Sequence, residues 1–318
     1  VSRMQQRRLG HSGLRVSRLG LGTMTWGRDT DEHEARDQLI AFAEAGGTLV
    51  DTAVAYAEGR SEEMLGALIG DVVARDEVVI ATKAGVEARD GRLRYDTSRR
   101  ALLTALDASL TRLGVDHVDL WQVHLWQPGT PMEETLAALD HAVSTGRAAY
   151  VGVSNYTGWQ TGRAATWQQA VPGRTPLIST QVEYSLLNRR VEDEVLPAAQ
   201  ALGLGVLPWS PLGRGVLTGK YRTGTPSDSR AATSQFSRFV GDYLDTRSAA
   251  IVEGVARAAD GLGWTPAEVA LVWVRDRPGV TAPIVGARSA AQLRASLAVE
   301  ELQLPAEIAE ALDDVSDD

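Results

Sequence analysis

The stretch TLVDTAVAYAEGRSE (Thr48–Glu62) reads as a strand, a loop and a helix start in direct succession. Its first part, TLVDT (Thr48–Thr52), is short, β-branched and apolar until Asp51, as a strand buried in a parallel sheet reads. A loop of small residues follows and carries one aromatic, Tyr56. Gly59, Ser61 and Glu62 then punctuate the opening of a helix. A strand that runs through a loop into a helix is half of a βαβ unit, so the fold turns on whether the pattern recurs.

It recurs along the whole chain. RLGLG (Arg18–Gly22), VVIATK (Val78–Lys83), VDLWQVH (Val118–His124), AAYVGVS (Ala148–Ser154), LISTQV (Leu177–Val182), LGVLPW (Leu204–Trp209) and TAPIVG (Thr281–Gly286) are further short apolar runs. Helix-period segments separate them. Leu102, Leu103, Leu106, Leu110 and Leu113 form one apolar face, closed by Gly114. Leu136, Leu139 and Val143 form another, with Thr130-Pro131-Met132-Glu133 as its expected cap, first-turn proline and capping glutamate, and Gly146 as its end. Eight strands alternating with helices predict a closed (β/α)8 TIM barrel, a single domain over residues 1–318. Two segments break the rhythm. Gly10-His11-Ser12-Gly13 lies between short extended pieces and predicts a β-hairpin ahead of the first barrel strand. Gly213–Tyr243 is long, polar and irregular, and follows the seventh strand, which predicts a functional loop over the open face of the barrel.

Composition narrows the function classes. The chain has 318 residues, 44% hydrophobic and 23% charged, enough for a full core. A formal net charge of -9 argues against nucleic acid or an anionic membrane as the main partner. With no cysteine there is neither disulfide nor thiol catalysis. The opening VSRMQQRRLG has no apolar h-region, and no run approaches a membrane span, so a soluble cytoplasmic protein is expected.

Chemistry in a (β/α)8 barrel collects where the strands end, because the loops there converge on one face. Three successive strands end in ionisable residues, Asp51, Lys83 and His124, and Tyr56 follows one loop beyond Asp51. Taken singly, each has an ordinary structural reading: a capping acid, a surface charge, a satisfied core histidine. Their joint placement on one rim does not. A buried lysine favours the phenolate of a neighbouring tyrosine and lowers its pKa, and Asp51 would keep that lysine charged. Tyr56 would then donate a proton near neutral pH, although free tyrosine titrates near ~10. A neutral His124 would orient a carbonyl oxygen. Protonating that oxygen requires hydride at its carbon, which no side chain delivers, so a nicotinamide is implied.

The ordered set DTAVAYAEGRSE, VVIATK, VDLWQVH, GVSNY, QVEYSLL, LPWSPLGRGVLTGKY and VGARSAAQL resembles the aldo-keto reductases over nearly the full length, in the branch with WSPL that includes bacterial reductases and potassium-channel β subunits. The resemblance implies NADPH as cofactor and a small-molecule carbonyl substrate. It implies that Ser154, Asn155 and Gln181 hold the nicotinamide carboxamide and that Trp209 stacks on the ring. Ser210, Leu212, Gly213, Arg214 and Lys220 would follow the pyrophosphate. Gly286 ends the eighth strand, Ser289 and Gln292 would cap the next helix, and Arg288 would meet the adenosine 2′-phosphate, with Gln292 alongside. Trp26, Trp126 and the Gly213–Tyr243 loop are the expected substrate-facing features. Two positions depart from the family pattern, Ala57 in place of glycine and Ser296 in place of an asparagine that reads the adenine.

Two other functions fit parts of this pattern: an NADP(H)-binding regulatory subunit with little turnover, and a reductase of nucleotide-linked keto-sugars. The presence of His124, which channel β subunits typically lack, favours an enzyme. Rival motifs fail on their own terms. Gly20 and Gly22 begin a G-x-G-x-x-G fingerprint, but Thr25 stands where its last glycine belongs. No tyrosine heads a Y-x-x-x-K motif. GVSNY lacks the closing glycine of a serine-hydrolase elbow, and His33-Glu34 lacks the second histidine of a zinc-protease helix.

Overall fold

The computed structural model describes residues 3–222 and 240–317. Its centre is an eight-stranded parallel barrel. In chain order the strands outside and inside the barrel are β1 (Gln6–Arg8), β2 (Arg15–Ser17), β3 (Gly20–Gly22), β4 (Leu49–Asp51), β5 (Val79–Ala84), β6 (Val86–Arg89), β7 (Arg92–Tyr95), β8 (Val118–Val123), β9 (Ala148–Ser154), β10 (Leu177–Glu183), β11 (Gly205–Trp209) and β12 (Ile284–Gly286). The barrel order is β12, β3, β4, β5, β8, β9, β10, β11. It closes between β11 and the approach to β12: Val206 and Val280 form a parallel bridge, and the Thr281 N–H donates to the Val206 carbonyl at 2.8 Å. All eight runs expected from the sequence form these strands.

The helices are α1 (Glu32–Glu44), α2 (Arg60–Leu68), α3 (Arg99–Leu113), α4 (Met132–Ser144), α5 (Gly158–Ala170), α6 (Val195–Leu202), α7 (Thr246–Leu262), α8 (Pro266–Arg275), α9 (Ala290–Leu297) and α10 (Ala306–Ser316). Their termini follow local chemistry. Asp31, Ser98, Asp245 and Ser289 accept backbone N–H groups at the starts of α1, α3, α7 and α9, and Thr265 with Glu268 builds a capping box on α8. Gly114 ends α3 in the left-handed conformation, as expected. One helix start differs from expectation. The N-cap of α4 is Pro131, which has no side-chain acceptor, rather than Thr130. Ser61 and Glu62 lie in the first turn of α2 but turn inward, and Gly59 is its N-cap.

The apolar residues divide into two clusters. The larger lies between barrel and helices and includes Leu39, Phe42, Leu65, Leu106, Trp121, Leu139 and Val272. The smaller fills the lower barrel interior: Leu49, Ala81, Leu120, Ile178, Leu207, Ala282 and Ile284, closed from below by Leu9 and Val16 of the β1–β2 hairpin. The hairpin is therefore the barrel's floor. Gly10 sits in its turn with φ +57, and a Cβ there would lie 2.4 Å from the Ile178 carbonyl oxygen, so only glycine lets the hairpin approach this closely.

A second hairpin, β6–β7, follows the third barrel strand. Arg89 pairs with Arg92, and the two residues between them, Asp90 and Gly91, have φ 51 and 70. Two positive φ values in a two-residue turn are the geometry that suits the twist of a hairpin, and Asp-Gly is a preferred filler. Part of the Gly213–Tyr243 loop, residues 223–239, lies outside the described residues. Among the described residues no helix is long and apolar enough to cross a membrane.

Candidate active site

Strand register brings the catalytic candidates together. Asp51 pairs with Ala81 on the neighbouring strand, and Lys83 lies two residues further up that strand. Alternation therefore turns both side chains into the upper barrel interior. Both are almost wholly buried, and Lys83 Nζ lies 2.6 Å from Asp51 Oδ2. Nζ also donates to the Thr52 carbonyl at 2.9 Å and to Tyr56 Oη at 3.3 Å. The remaining Asp51 oxygen accepts from Gln181 Nε2 at 2.8 Å. Gln181 thus reaches across the lumen from the sixth barrel strand and fixes the aspartate's second oxygen. Both charges in this core are paired, as charges buried this deeply require.

His124 closes the far side of the rim. Its backbone N–H donates to the Ala84 carbonyl at 2.9 Å, and its ring meets the Tyr56 ring edge-on with centroids 6.2 Å apart. Its Nδ1 is buried and has no hydrogen-bond partner among the described residues. Burial, with a smaller push from Lys83, holds His124 down to a pKa of about 3, so the ring is neutral. Lys83 moves the other way. Burial opposes its charge, but Asp51 and Tyr56 outweigh burial and raise its pKa, so it stays an ammonium.

Tyr56 differs from the sequence expectation. Burial is the largest influence and raises its pKa; Lys83 lowers it, and Asp51 adds a further rise. The lysine moderates the rise without reversing it. Tyr56 is accordingly a protonated phenol, the form a proton donor needs, and the ammonium at 3.3 Å is placed to stabilise the phenolate left after transfer.

The loop that presents Tyr56 is held from beneath. Ala57 and Glu58 adopt left-handed φ values of 48 and 57. Ser61, fully buried, bonds Thr23 Oγ1 at 2.7 Å and donates to the Thr23 carbonyl at 2.9 Å. Glu62, fully buried, accepts from Thr82 Oγ1 at 2.6 Å and from Arg112 Nε at 2.8 Å. The residues expected only to open a helix therefore bolt the tyrosine loop to the strand that carries Lys83.

The cofactor candidates fall on the same rim. Ser154 Oγ donates to the Gln181 carbonyl at 2.9 Å. Asn155, at φ 56, donates from Nδ2 to the His124 carbonyl at 3.0 Å and accepts the Trp209 indole N–H at 2.9 Å. Asn155 thus fixes the plane of a half-buried Trp209. Ser210 and the consecutive residues Gly213, Arg214 and Gly215 have φ values of 50, 55, 58 and 91, and Leu212 precedes that turn. A Cβ at Gly215 would stand 3.3 Å from Lys220 Nζ. A left-handed run of backbone beside a lysine is a concavity suited to phosphate oxygens. The Arg214 guanidinium is engaged elsewhere: it forms a two-pronged pair with Glu183 at 2.8 Å and a second with Asp242 at 3.0 Å. Its side chain is a strut of this loop, a role that Glu183 did not signal in the sequence.

At the last strand, Gly286 ends β12 and Ser289 caps α9 by accepting the Gln292 N–H at 3.2 Å. Gln292 Oε1 accepts the Arg288 N–H at 3.0 Å, one residue ahead of the cap. Arg288 is half-buried beside this helix start.

The two substrate-facing tryptophans separate. Trp26 is fully buried, with its indole N–H on Gln38 Oε1 at 2.9 Å, because it packs beneath α1 in the outer core; it does not face the rim. Trp126 is half-buried and lies edge-on between Tyr156 and Trp159, each 5.3 Å away by ring centroid, and Trp159 is exposed. The β6–β7 hairpin joins this rim as well: Glu58 accepts the Gly91 N–H at 3.2 Å, and Gln127 donates to the Tyr95 carbonyl at 3.4 Å. The Asp90-Gly91 pair was the sequence signal for it.

A parallel barrel whose strand ends gather an acid, a lysine, a tyrosine and a histidine defines the class. The chain belongs to the aldo/keto reductase family, whose model matches residues 18–317. It is 37% identical to an uncharacterised oxidoreductase of Bacillus subtilis, over 98% of this chain and 96% of that protein. It is 37% identical to a probable voltage-gated potassium channel subunit beta of Oryza sativa, over 91% of this chain and 89% of that one. It is 36% identical to the L-glyceraldehyde 3-phosphate reductase of Escherichia coli, over 91% and 86%. Family and relatives together support an oxidoreductase acting on carbonyl groups.

Proposed function

We propose that this protein is an NADPH-dependent reductase that turns an aldehyde or ketone into an alcohol, with Tyr56 as proton donor. The observation that carries this reading is the buried chain Gln181–Asp51–Lys83–Tyr56, with neutral His124 facing the phenol across the rim. Bound NADPH would supply the hydride for the carbonyl carbon. The residues do the rest. Tyr56 Oη gives its proton to the carbonyl oxygen, and Lys83 stabilises the phenolate that remains. Asp51 keeps Lys83 charged and aimed, and Gln181 holds Asp51. The neutral His124 ring offers a hydrogen bond to the same carbonyl oxygen.

The residues present fit a nicotinamide dinucleotide phosphate. Trp209, fixed by Asn155, offers a flat face for the ring, with Ser154 and Gln181 alongside for the carboxamide. The left-handed Gly213–Gly215 turn and Lys220 suit the pyrophosphate, with Arg214 contributing its backbone while its side chain braces Glu183. Arg288 at the start of α9 suits the 2′-phosphate. The relative named for L-glyceraldehyde 3-phosphate makes small aldehydes the first candidates.

An NADPH-oxidation screen over aldehydes, ketosteroids, quinones and keto-sugars tests the reading, with Tyr56→Phe as control. Loss of the general acid lowers kcat by about 10²–10⁴-fold. A Tyr56→Phe enzyme that keeps most of its activity sinks the assignment. Wild type that binds NADPH and reduces nothing supports a binding subunit instead.

A further inference from the structure

The start of α9 already holds an anion. The Ala290 N–H, first of that helix, donates to a carboxylate oxygen of Glu34 on α1, far away in sequence. Glu34 is half-buried, and its helix and the loop that precedes it are fastened to the same corner at three more points. Gln38, one turn along α1, donates to the Ala287 carbonyl at 3.4 Å. Thr25 Oγ1 donates to that carbonyl at 2.9 Å, and Thr30 Oγ1 to the Arg288 carbonyl at 3.5 Å. The carboxylate is therefore built into the Gly286–Ser289 corner by the packing of α1 against it, rather than swinging free from the surface.

We infer that Glu34 is a cofactor-specificity residue, and that it relaxes the preference of this protein for NADPH so that NADH is accepted as well. The inference rests on the reading that the adenosine 2′-phosphate comes to Arg288. A 2′-phosphate carries close to two negative charges near neutral pH, as phosphate esters do. On that reading the phosphate has Arg288 for it and the Glu34 carboxylate against it, and the Ala290 N–H is already taken. Either the phosphate displaces Glu34 from the positive end of the helix or it shares that end with a like charge, and both weaken binding. A bare ribose meets the opposite situation. Its 2′-hydroxyl is a donor, and a carboxylate beside a ribose is the acceptor that NAD-binding sites use.

The test is the dissociation constant of NADPH and of NADH, read from quenching of intrinsic tryptophan fluorescence with no carbonyl substrate present, for wild type, Glu34→Gln and Arg288→Ala. Wild type is expected to bind the two within about tenfold of each other. Glu34→Gln is expected to tighten NADPH about tenfold, or 1.4 kcal/mol, and to leave NADH unchanged or weaker. Thermal melting confirms that the glutamine variant is folded, since the amide oxygen can still accept from Ala290. If Arg288→Ala weakens NADPH selectively but Glu34→Gln leaves the NADPH-to-NADH ratio where it was, the role of Glu34 is wrong and the phosphate site stands. If Arg288→Ala moves both cofactors equally, the 2′-phosphate lies elsewhere and both readings fall.

Discussion

Replacing Lys83 by methionine removes one half of an ion pair that has almost no contact with water. At an effective dielectric of about 20, unit charges 2.6 Å apart attract by about 6 kcal/mol, and the desolvation of both groups offsets much of that. The single variant keeps the desolvation and loses the attraction. Asp51 retains Gln181 at 2.8 Å but no cation, and breaking a buried pair in this way costs about 3–5 kcal/mol. Asp51→Asn strands the ammonium and is expected to cost a similar amount, although its amide oxygen can still accept from Gln181. The double variant, Lys83→Met with Asp51→Asn, buries neither charge and should cost no more than either single. The coupling energy of the cycle is then about 3–5 kcal/mol. Urea unfolding at pH 7, followed by tryptophan fluorescence, measures it: at a slope of about 3 kcal/mol/M each single variant moves the midpoint down by about 1–1.7 M. All three variants should be inactive, which separates stability from catalysis. Costs of the two singles that simply add in the double would refute the argument, because the pair would then be two independent contacts.

Two further outcomes follow from the rim. His124 is held neutral down to about 3, whereas in the unfolded chain it takes a proton near ~6.5. The unfolded state therefore binds more protons between those values, and stability falls as pH drops through the window from about 6.5 toward 3. His124→Gln should flatten that fall, recovering about 2–4 kcal/mol at its foot after allowance for partial exposure; melting curves against pH that superimpose for both proteins would count against it. Ala57 sits at φ 48, where its methyl is strained. Ala57→Gly should relieve the strain and, after the entropy it adds to the unfolded chain, leave the protein about 0.5–1 kcal/mol more stable by urea midpoint; a less stable variant would show the methyl to be a packing contact.

The barrel and the meeting of Asp51, Tyr56, Lys83 and His124 at one rim are legible in the sequence for one reason: strand period and strand ends are local signals. A short apolar run that stops at Asp51, Lys83 or His124 marks its own upper end, and a barrel gathers such ends at one face. Features that depend on partners far along the chain are not marked in this way. Asp51 and Gln181 meet across the lumen, and nothing near either residue announces it. Glu183 at the end of β10 pairs with Arg214 in the loop after β11. Trp26 resembles a rim tryptophan by its place after the first strand, but α1 covers it and offers Gln38 as its acceptor. The pKa of Tyr56 was misread because a neighbour's charge can be inferred from the chain, whereas the depth of burial that outweighs it cannot. The methyl of Ala57 has a conformational consequence: the family's glycine suits a left-handed position that alanine occupies at a cost.

The β1–β2 hairpin has a kinetic consequence. Leu9 and Val16 stopper the lower end of the barrel, and the interior above them is packed with side chains. Among the described residues, the chamber around Lys83 is reached from the upper face, above this floor. Two ligands sharing such a chamber must queue, with the deeper guest entering first and leaving last. If a nicotinamide lies against Trp209 and Gln181, as proposed above, the nucleotide is the deeper guest, and exchange through the upper face should be ordered, with the smaller ligand departing first.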